Sequence, residues 1–203
     1  MKTDPFTDAF NFLLGNTPDH RALGAVQYPF VALFAALLIG SVVIAVSAWR
    51  RDPAQRTLGA LCTWVFRVLM GGMWFQGALW KMPLPVSGGL QYWTGQMVEH
   101  AAFPFYSQLI RGLIQPNMTI FDPIVLAAEL GLAVSFLLGV FVRPIATLGV
   151  LYALGLWIGL YRHPAEWPWE YMFIVIVQGQ FAVNQAGRSL GIDALRRPLW
   201  IRT

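Results

Sequence analysis

Cysteine and charged side chains are both scarce in this sequence. Cys62 is the only cysteine, which excludes a disulfide within the chain, a zinc site built from cysteines and an iron–sulfur cluster. Charged residues make up only 12% of the chain, whereas hydrophobic residues make up 57%. Several runs of roughly 20 residues with few charges are long enough to cross a hydrocarbon core of ~30 Å. The sequence therefore predicts an all-α integral membrane protein.

Five of these runs are predicted to be transmembrane helices. Proline favours the first position of a helix, and Asp122-Pro123, Pro144 and Trp167-Pro168 accordingly open the third, fourth and fifth runs. Asp122 is the expected N-cap of the third. The five predicted spans are 28–49, 57–80, 122–142, 144–161 and 167–186.

Two further segments are predicted to lie at the membrane surface. Asp4 and Pro5 begin a short amphipathic helix that ends near Gly15, within an N-terminal segment of residues 1–27. The stretch 81–119 is rich in glycine, proline and aromatic residues, and we expect it to be an extracytoplasmic loop with interfacial helices around 90–102 and 105–114. Residues 50–197 would form the main membrane bundle, and residues 198–203 a cytoplasmic tail.

The basic residues indicate how the chain is oriented. Under the five-span topology, most of the fourteen lysines and arginines fall on one side, beginning with Arg50, Arg51 and Arg56. Such residues concentrate on the cytoplasmic side of membrane proteins. We therefore expect a multi-pass protein of a bacterial or archaeal cytoplasmic membrane, with the N-terminus outside and the C-terminus in the cytoplasm.

Other residue patterns that would bind cofactors are missing from the sequence. None of the three histidines lies in a predicted span, whereas a membrane b-type haem commonly needs two there. The sequence has no dinucleotide fingerprint, phosphate loop or His/Cys metal cluster, so we expect no haem, flavin or metal site. It also lacks a basic run that would bind nucleic acid. Electrons that pass through the protein would need a diffusible carrier such as quinone, or a partner subunit.

Several polar side chains are predicted to lie inside the spans, where a charge costs at least ~2.5–3.5 kcal/mol. Arg67, Trp74 and Lys81 are spaced by seven residues and share one face of the second span. Glu129 lies roughly 10 Å inside the third span, and Gln178 reaches a similar depth in the fifth. Two interpretations stay open: Arg67 and Glu129 form a structural ion pair, or they form, together with Gln178, the floor of a polar pocket walled by aromatic residues.

The start of the fifth span combines a carboxylate with aromatic rings. Glu170 lies in its first turn, close to Trp167, Trp169 and Tyr171. A carboxylate is favoured at that place by the helix dipole alone. Glu170 and Trp167 are therefore candidates both for the ligand site and for simple stabilisation of the helix end.

Small residues recur at every fourth position of two spans. Gly131, Ser135 and Gly139 follow this spacing in the third, and Gly155 and Gly159 follow it in the fourth. Small residues at that spacing let helix backbones approach closely within a membrane. Both stripes are therefore predicted to be helix-packing surfaces.

Three segments in order, RVLMGGMWFQGALWKM (67–82), AELGLAVSFLLGVFVRP (128–144) and AGRSLGIDAL (186–195), together resemble the signatures of the DoxX/DoxD family. That family includes the membrane subunit type associated with thiosulfate:quinone oxidoreductase. The resemblance implies a DoxX-like four-helix bundle, to which the first span of this chain would be an addition. The residues that match the signatures are Arg67, Lys81, Glu129, Gly139, Arg143, Gly187, Arg188 and Asp193.

The resemblance implies quinone-linked oxidation of a small sulfur compound such as thiosulfate. On this hypothesis Lys81 or Arg67 would hydrogen-bond a quinone carbonyl, quinone would enter between helices near Trp74, Trp80 and the fifth span, and Glu129 would handle the proton. The fused form of the family carries a soluble DoxA-like region that this chain lacks, so we expect a separate partner subunit. The alternative is a membrane anchor or assembly subunit that docks a peripheral redox enzyme without catalysis of its own. A transporter is disfavoured because the sequence shows no internal repeat.

Overall fold

The computed structural model describes residues 4–196, which form helices joined by short connections. The predicted cytoplasmic tail, 198–203, lies outside the described residues. In chain order the helices are α1 (Pro5–Leu13), α2 (Pro18–Ala22), α3 (Gln27–Arg51), α4 (Leu58–Ala78), α5 (Gly88–His100), α6 (Pro104–Leu109), α7 (Met118–Leu138), α8 (Val142–Leu160), α9 (Pro168–Val183) and α10 (Ile192–Leu195).

Four helical stretches are long and apolar enough to cross a membrane. They are Gly24–Arg51, Leu58–Lys81, Pro104–Leu138 and Val142–Leu160. The predicted fifth span corresponds to α9, which has only 16 residues. At 1.5 Å per residue α9 is about 24 Å long, shorter than a hydrocarbon core of ~30 Å. The described residues thus form an all-α multi-pass membrane protein with four candidate spans, and the fifth span stays a prediction.

The third span differs from its predicted form. Pro104–Leu138 is one helical stretch of 35 residues. Its first part is the expected interfacial helix 105–114, whose turns widen at Ile110–Ile114 before the chain continues into α7. The prediction that Asp122 is an N-cap is wrong, because α7 begins at Met118 and contains Pro123 in its interior. The Asp122 side chain accepts a hydrogen bond from the distant backbone amide of Ser87 instead of from its own helix.

The core lies where α3, α4, α7, α8 and α9 meet. α4 packs antiparallel to α7, and α8 packs antiparallel to α9. Phe75 of α4 and Phe136 of α7 are completely buried there, with Phe34 and Phe181 beside them. Gly71 lets α4 approach α7 closely, since a Cβ at this position would lie 2.9 Å from Cγ of Leu137. Close packing of this kind is what holds helices together in an apolar solvent.

The bundle has two ends, which we name by their residues. At the loop end, α4 finishes in a short turn at Leu79–Lys81, α8 finishes at Leu160, and α5 lies nearby. At the turn end, residues 139–141 connect α7 to α8, and α10 packs against this connection through the hydrogen bond from Asp193 N to Gly139 O.

The N-terminal helix begins where the sequence predicts. The Asp4 side chain accepts hydrogen bonds from the amides of Phe6 and Thr7, which satisfies donors that a helix start leaves free. The other end of α1 is fastened to α4, because Gln76 Nε2 donates to Leu13 O at 2.6 Å. The aromatic ring of Phe6 on α1 is 85% exposed, so this apolar side of α1 has no cover from the described bundle.

The prediction that small residues form helix-packing surfaces is confirmed for α8 and wrong for α7. Gly155 and Gly159 are close-packing positions as predicted, because a Cβ there would lie 3.0 Å from Tyr106 Oη and 2.9 Å from Met97 Cγ, respectively. The stripe on α7 is not a continuous packing surface. A Cβ at Gly131 would meet nothing within 4 Å among the described residues, and Gly139 ends the helix in the left-handed conformation at φ 69°.

Candidate functional site

A buried carboxylate near the loop end is paired with side chains from two other helices. The Glu129 side chain of α7 is 3% exposed, and its Oε2 lies 2.8 Å from Nζ of Lys81 on the short turn after α4. Tyr152 on α8 donates its hydroxyl to Glu129 Oε1 at 2.7 Å. One carboxylate oxygen therefore accepts a hydrogen bond and the other lies against a cation, although Oε2 accepts no hydrogen bond within the described residues. A buried charge requires such partners. We call Lys81, Glu129 and Tyr152 the loop-end triad.

The position of Lys81 follows from the way α4 ends. A cation is favoured in the last turn of a helix, where carbonyl groups lack intrahelical partners, and Lys81 Nζ donates to Gly77 O at 3.1 Å. Gly77 is one turn earlier, so the lysine side chain folds back along its own helix. This arrangement brings its ammonium group to the depth of Glu129.

Trp74 forms one wall of the triad. Its ring centroid lies 5.5 Å from that of Tyr152 in an edge-to-face arrangement, and the side chain is 4% exposed. The predicted common face of Trp74 and Lys81 on the second span is therefore consistent with their contacts. The Trp74 indole N–H has no acceptor within the described residues, so it is a buried donor beside a buried acid.

The predicted ion pair between Arg67 and Glu129 is wrong. Arg67 is completely buried near the turn end, where its guanidinium donates to Phe136 O and also to Ser189 O at 3.3 Å. The carbonyl groups at the end of α7 lack helical partners, and a guanidinium with five donors satisfies several of them. Arg67 also precedes Lys81 by fourteen residues, which is about 21 Å along a helix. The cation that pairs with Glu129 is therefore Lys81.

The same end of the bundle contains a carboxylate that the sequence reasoning did not assign to a site. Asp193 accepts hydrogen bonds from Phe141 N at 2.9 Å and Val142 N at 3.1 Å, so it caps the start of α8. Gly139 and Gly191 touch here, since a Cβ at Gly139 would lie 2.6 Å from Cα of Gly191. The three segments that carry the family resemblance thus meet at the turn end.

The remaining candidates lie apart from Glu129. Gln178 is completely buried on α9 and donates to Gly149 O at 3.3 Å, which links α9 to α8. Trp167 is 59% exposed, and its ring contacts Phe173 at 5.8 Å. Glu170 is also exposed. Of the predicted site residues, the structure brings together Trp74, Lys81 and Glu129.

At the loop end, the contact of Tyr152 with Glu129 and the contact of Asp122 with the loop before α5 were not predicted. Tyr152 is a single hydroxyl in an apolar span, and nothing in its spacing marks it as a partner of Glu129. Asp122 lies seven residues before Glu129 on the same face of α7 and is completely buried. It accepts from the amide of Ser87, whose own hydroxyl accepts from Leu90 N and caps α5. Asp122 thereby fastens the loop before α5 to α7.

A cavity of about 350 Å³ opens beside the turn that carries Lys81. It lies between α2, with Leu23 directly after it, and the start of α5. The rings of Trp80 and Trp93 stack in its wall, with centroids 6.1 Å apart and planes inclined by 18°. The other main apolar lining residues are Leu23, Leu79, Met82 and Tyr92.

Comparisons with known proteins found no match for this chain. No family model, no curated protein and no solved structure matches the chain.

The loop-end triad has a definite chemical capacity. The ammonium of Lys81 lies 2.8 Å from one oxygen of Glu129, and the phenol of Tyr152 lies 2.7 Å from the other. Both groups are therefore close enough to exchange a proton with the carboxylate. Among the described residues no group of three or more His, Cys, Asp and Glu side chains is placed to hold a metal ion. The arrangement is therefore suited to binding a polar group and exchanging protons with it.

Proposed function

We propose that this protein is a membrane subunit of a quinone-linked oxidoreductase and that its loop end handles the protons of quinone reduction. The observation that carries the proposal is Glu129, which is buried with Lys81 on one carboxylate oxygen and Tyr152 on the other. Ionisable residues inside membrane proteins commonly belong to proton relays or substrate pathways. The sequence resemblance to the DoxX/DoxD family supports the same reaction class.

The proposed reaction assigns a role to each member of the triad. A quinone takes up two electrons and two protons and becomes a quinol. The electrons come from a peripheral redox partner that oxidises a small sulfur compound such as thiosulfate. Lys81 and Tyr152 donate hydrogen bonds to a quinone carbonyl, and Glu129 passes on the protons. Arg67, whose donors are engaged by backbone carbonyls at the turn end, has no part in this step.

The location of the site in the membrane is part of the proposal. We place the loop end on the outer side of a bacterial or archaeal cytoplasmic membrane, with the C-terminus in the cytoplasm. The support is the excess of arginine near the turn end, where Arg50, Arg51 and Arg56 lie on and after the last turn of α3. Protons would then be exchanged with the outer side.

The test is a single substitution with a matched control. Glu129→Gln keeps the size of the side chain and a carbonyl oxygen that accepts from Tyr152, but it cannot carry a proton. In membranes that contain the partner, thiosulfate-dependent reduction of decylubiquinone should be lost in Glu129→Gln and retained in Glu170→Gln, an exposed glutamate on α9. Full turnover in Glu129→Gln would remove Glu129 from proton handling.

A membrane anchor or assembly subunit is the second candidate function. The observation that favours it is that both oxygens of Glu129 already have partners within the protein, the Tyr152 hydroxyl and the Lys81 ammonium, as in an ion pair that only holds helices together. A soluble partner that co-purifies in equal amount, with no quinone bound, would favour this candidate.

A further inference from the structure

The cavity described above opens directly beside the turn that carries Lys81. Trp80 lines the cavity, and the next residue, Lys81, reaches Glu129. Consecutive residues of one short turn thus contribute to the cavity wall and to the triad. A ligand in the cavity would lie against the segment that positions the ammonium group.

The chemistry of the cavity selects against charged ligands. None of its lining residues is Asp, Glu, Lys or Arg, and the polar ring among them is His20, whose Nδ1 lies 2.5 Å from Thr17 Oγ1. Moving a charged group into such surroundings without a counter-charge carries a large desolvation cost. The suitable occupant is therefore an uncharged molecule.

The size and the walls favour a planar ring over a long chain. A volume of about 350 Å³ is near the lower limit of small-molecule sites, which range over ~300–1,000 Å³. Trp80 and Trp93 stack nearly parallel, and Tyr92 meets Trp93 edge-on with centroids 5.3 Å apart. Trp80 is still 39% exposed, so aromatic surface is left for a ligand to cover. Aromatic rings prefer offset-stacked and edge-to-face contacts with other rings.

The aromatic wall is held in place by the packing of α5. A Cβ at Gly89 would collide with the carbonyl oxygen of Trp80, so α5 begins in direct backbone contact with the turn after α4. One helical turn later, Trp93 also contacts the ring of His163, with centroids 5.7 Å apart. The Trp80–Trp93 pair is therefore fixed from both sides before any ligand enters.

We propose that this cavity binds the uncharged ring of a quinone, with Trp80 and Trp93 as its main contacts. The inference rests on the proposed quinone-linked function and adds the place at which the ring binds. The cavity supplies ring contacts, whereas the triad supplies hydrogen bonds to a carbonyl group and the protons. The two sets of residues can therefore be changed separately.

The experiment measures binding of decylubiquinone to the purified full chain in phospholipid nanodiscs. Trp80→Ala and Trp93→Ala should each weaken binding about ten-fold, because ring contacts of ~0.5–1.5 kcal/mol are lost together with buried apolar area. Trp93→Phe keeps a smaller ring and should weaken binding less. The matched control is Trp169→Ala, an exposed tryptophan outside the cavity, which should bind like the unchanged protein.

Two further probes separate a ring from an apolar chain. Duroquinone, which has the ring without a long tail, should compete with decylubiquinone, whereas 1-decanol should not. If 1-decanol competes and duroquinone does not, the cavity accepts an acyl chain and the inference is wrong. It is also wrong if the unchanged protein does not bind decylubiquinone, or if both tryptophan-to-alanine variants bind it normally.

Glu129→Gln separates this inference from the proposed function. It should still bind decylubiquinone, because it leaves the cavity wall intact, whereas its turnover should be lost. If Glu129→Gln loses binding and the two tryptophan variants do not, the ring binds at the triad, so the inference fails while the quinone-linked function stands. If the tryptophan variants lose binding but Glu129→Gln retains full turnover, the ring site stands and the proton role fails.

Discussion

Lys81 Nζ lies 2.8 Å from Oε2 of Glu129, and this buried ion pair joins the end of α4 to the interior of α7. The two helices also pack directly at Gly71, which precedes Lys81 by ten residues and so lies nearer the turn end. The Lys81–Glu129 ion pair therefore joins α4 to α7 at the loop end, and Arg67 joins the same two helices at the turn end. Each of these side chains can be tested by a substitution that removes one of its interactions.

Lys81→Met should destabilise the protein by about 3 kcal/mol, because it leaves the Glu129 carboxylate buried without its cation. The expected result is a lower free energy of unfolding in a mixed-micelle titration. Adding Glu129→Gln to the same chain removes the unpaired charge, so the double variant should recover part of the loss. A double variant less stable than Lys81→Met would contradict a buried ion pair.

Tyr152→Phe should cost about 1.5–3 kcal/mol, the range for a hydrogen bond to a charged group. It removes the hydroxyl that donates to Glu129 Oε1 and keeps the ring that contacts Trp74. The free energy of unfolding checks the value. Tyr161→Phe is the control, because Tyr161 is an exposed residue at the end of the same helix, and equal losses in the two variants would argue against the Tyr152 bond.

The sequence indicated the class of protein and part of the site, and the reasons are physical. Long apolar runs report membrane spans directly, since the bilayer fixes their length. The seven-residue spacing placed Trp74 and Lys81 on one face of α4 because the helical period is regular. Such reasoning works within a single helix.

Contacts between helices were less predictable. Nothing in the sequence says which cation reaches Glu129, because that depends on how α4 and α7 are shifted along each other. The interpretation of Arg67 and Glu129 as an ion pair is wrong for this reason. Asp122 followed by Pro123 has the form of a helix start, but α7 begins four residues earlier and the Asp122 carboxylate is bound by the loop at Ser87. Tertiary contacts therefore determine both the partner of Glu129 and the role of Asp122.

Arg67→Lys should destabilise the turn end by about 2 kcal/mol. One ammonium group cannot reproduce the donors that contact Phe136 O and Ser189 O, and each buried carbonyl left without a donor costs ~1–3 kcal/mol. The measurement is the unfolding free energy, and Arg143→Lys, at an exposed arginine, should change it little. Decylubiquinone binding by the folded Arg67→Lys protein should be unchanged, because Arg67 is not at the loop end.

Gly139→Ala should be strongly destabilising, by more than about 2 kcal/mol. Its φ of 69° is unfavourable for residues with a Cβ, and the added carbon would lie 2.5 Å from Nη1 of Arg67. Gly131→Ala is the matched control on the same helix, because a Cβ there meets nothing within 4 Å among residues 4–196 and alanine favours helices. Equal effects at the two glycines would contradict the described turn end.

Asp122→Ala should release the loop before α5. It leaves the amide of Ser87 without its acceptor, at a cost of about 1–3 kcal/mol, whereas Asp122→Asn keeps an oxygen that accepts this hydrogen bond. Limited proteolysis between residues 82 and 88 should become faster in Asp122→Ala and change little in Asp122→Asn. Unchanged protection in both variants would mean that Asp122 does not hold the loop.

The central claim, that this protein binds quinone as part of a redox enzyme, is tested most directly by its own lipid extract. The protein should be purified from its native membrane in mild detergent, extracted with organic solvent and analysed by mass spectrometry for isoprenoid quinones. We expect close to one quinone per chain, and a reduced amount in the Trp80→Ala/Trp93→Ala double variant. A quinone content no higher than that of an unrelated membrane protein purified in the same way would contradict it.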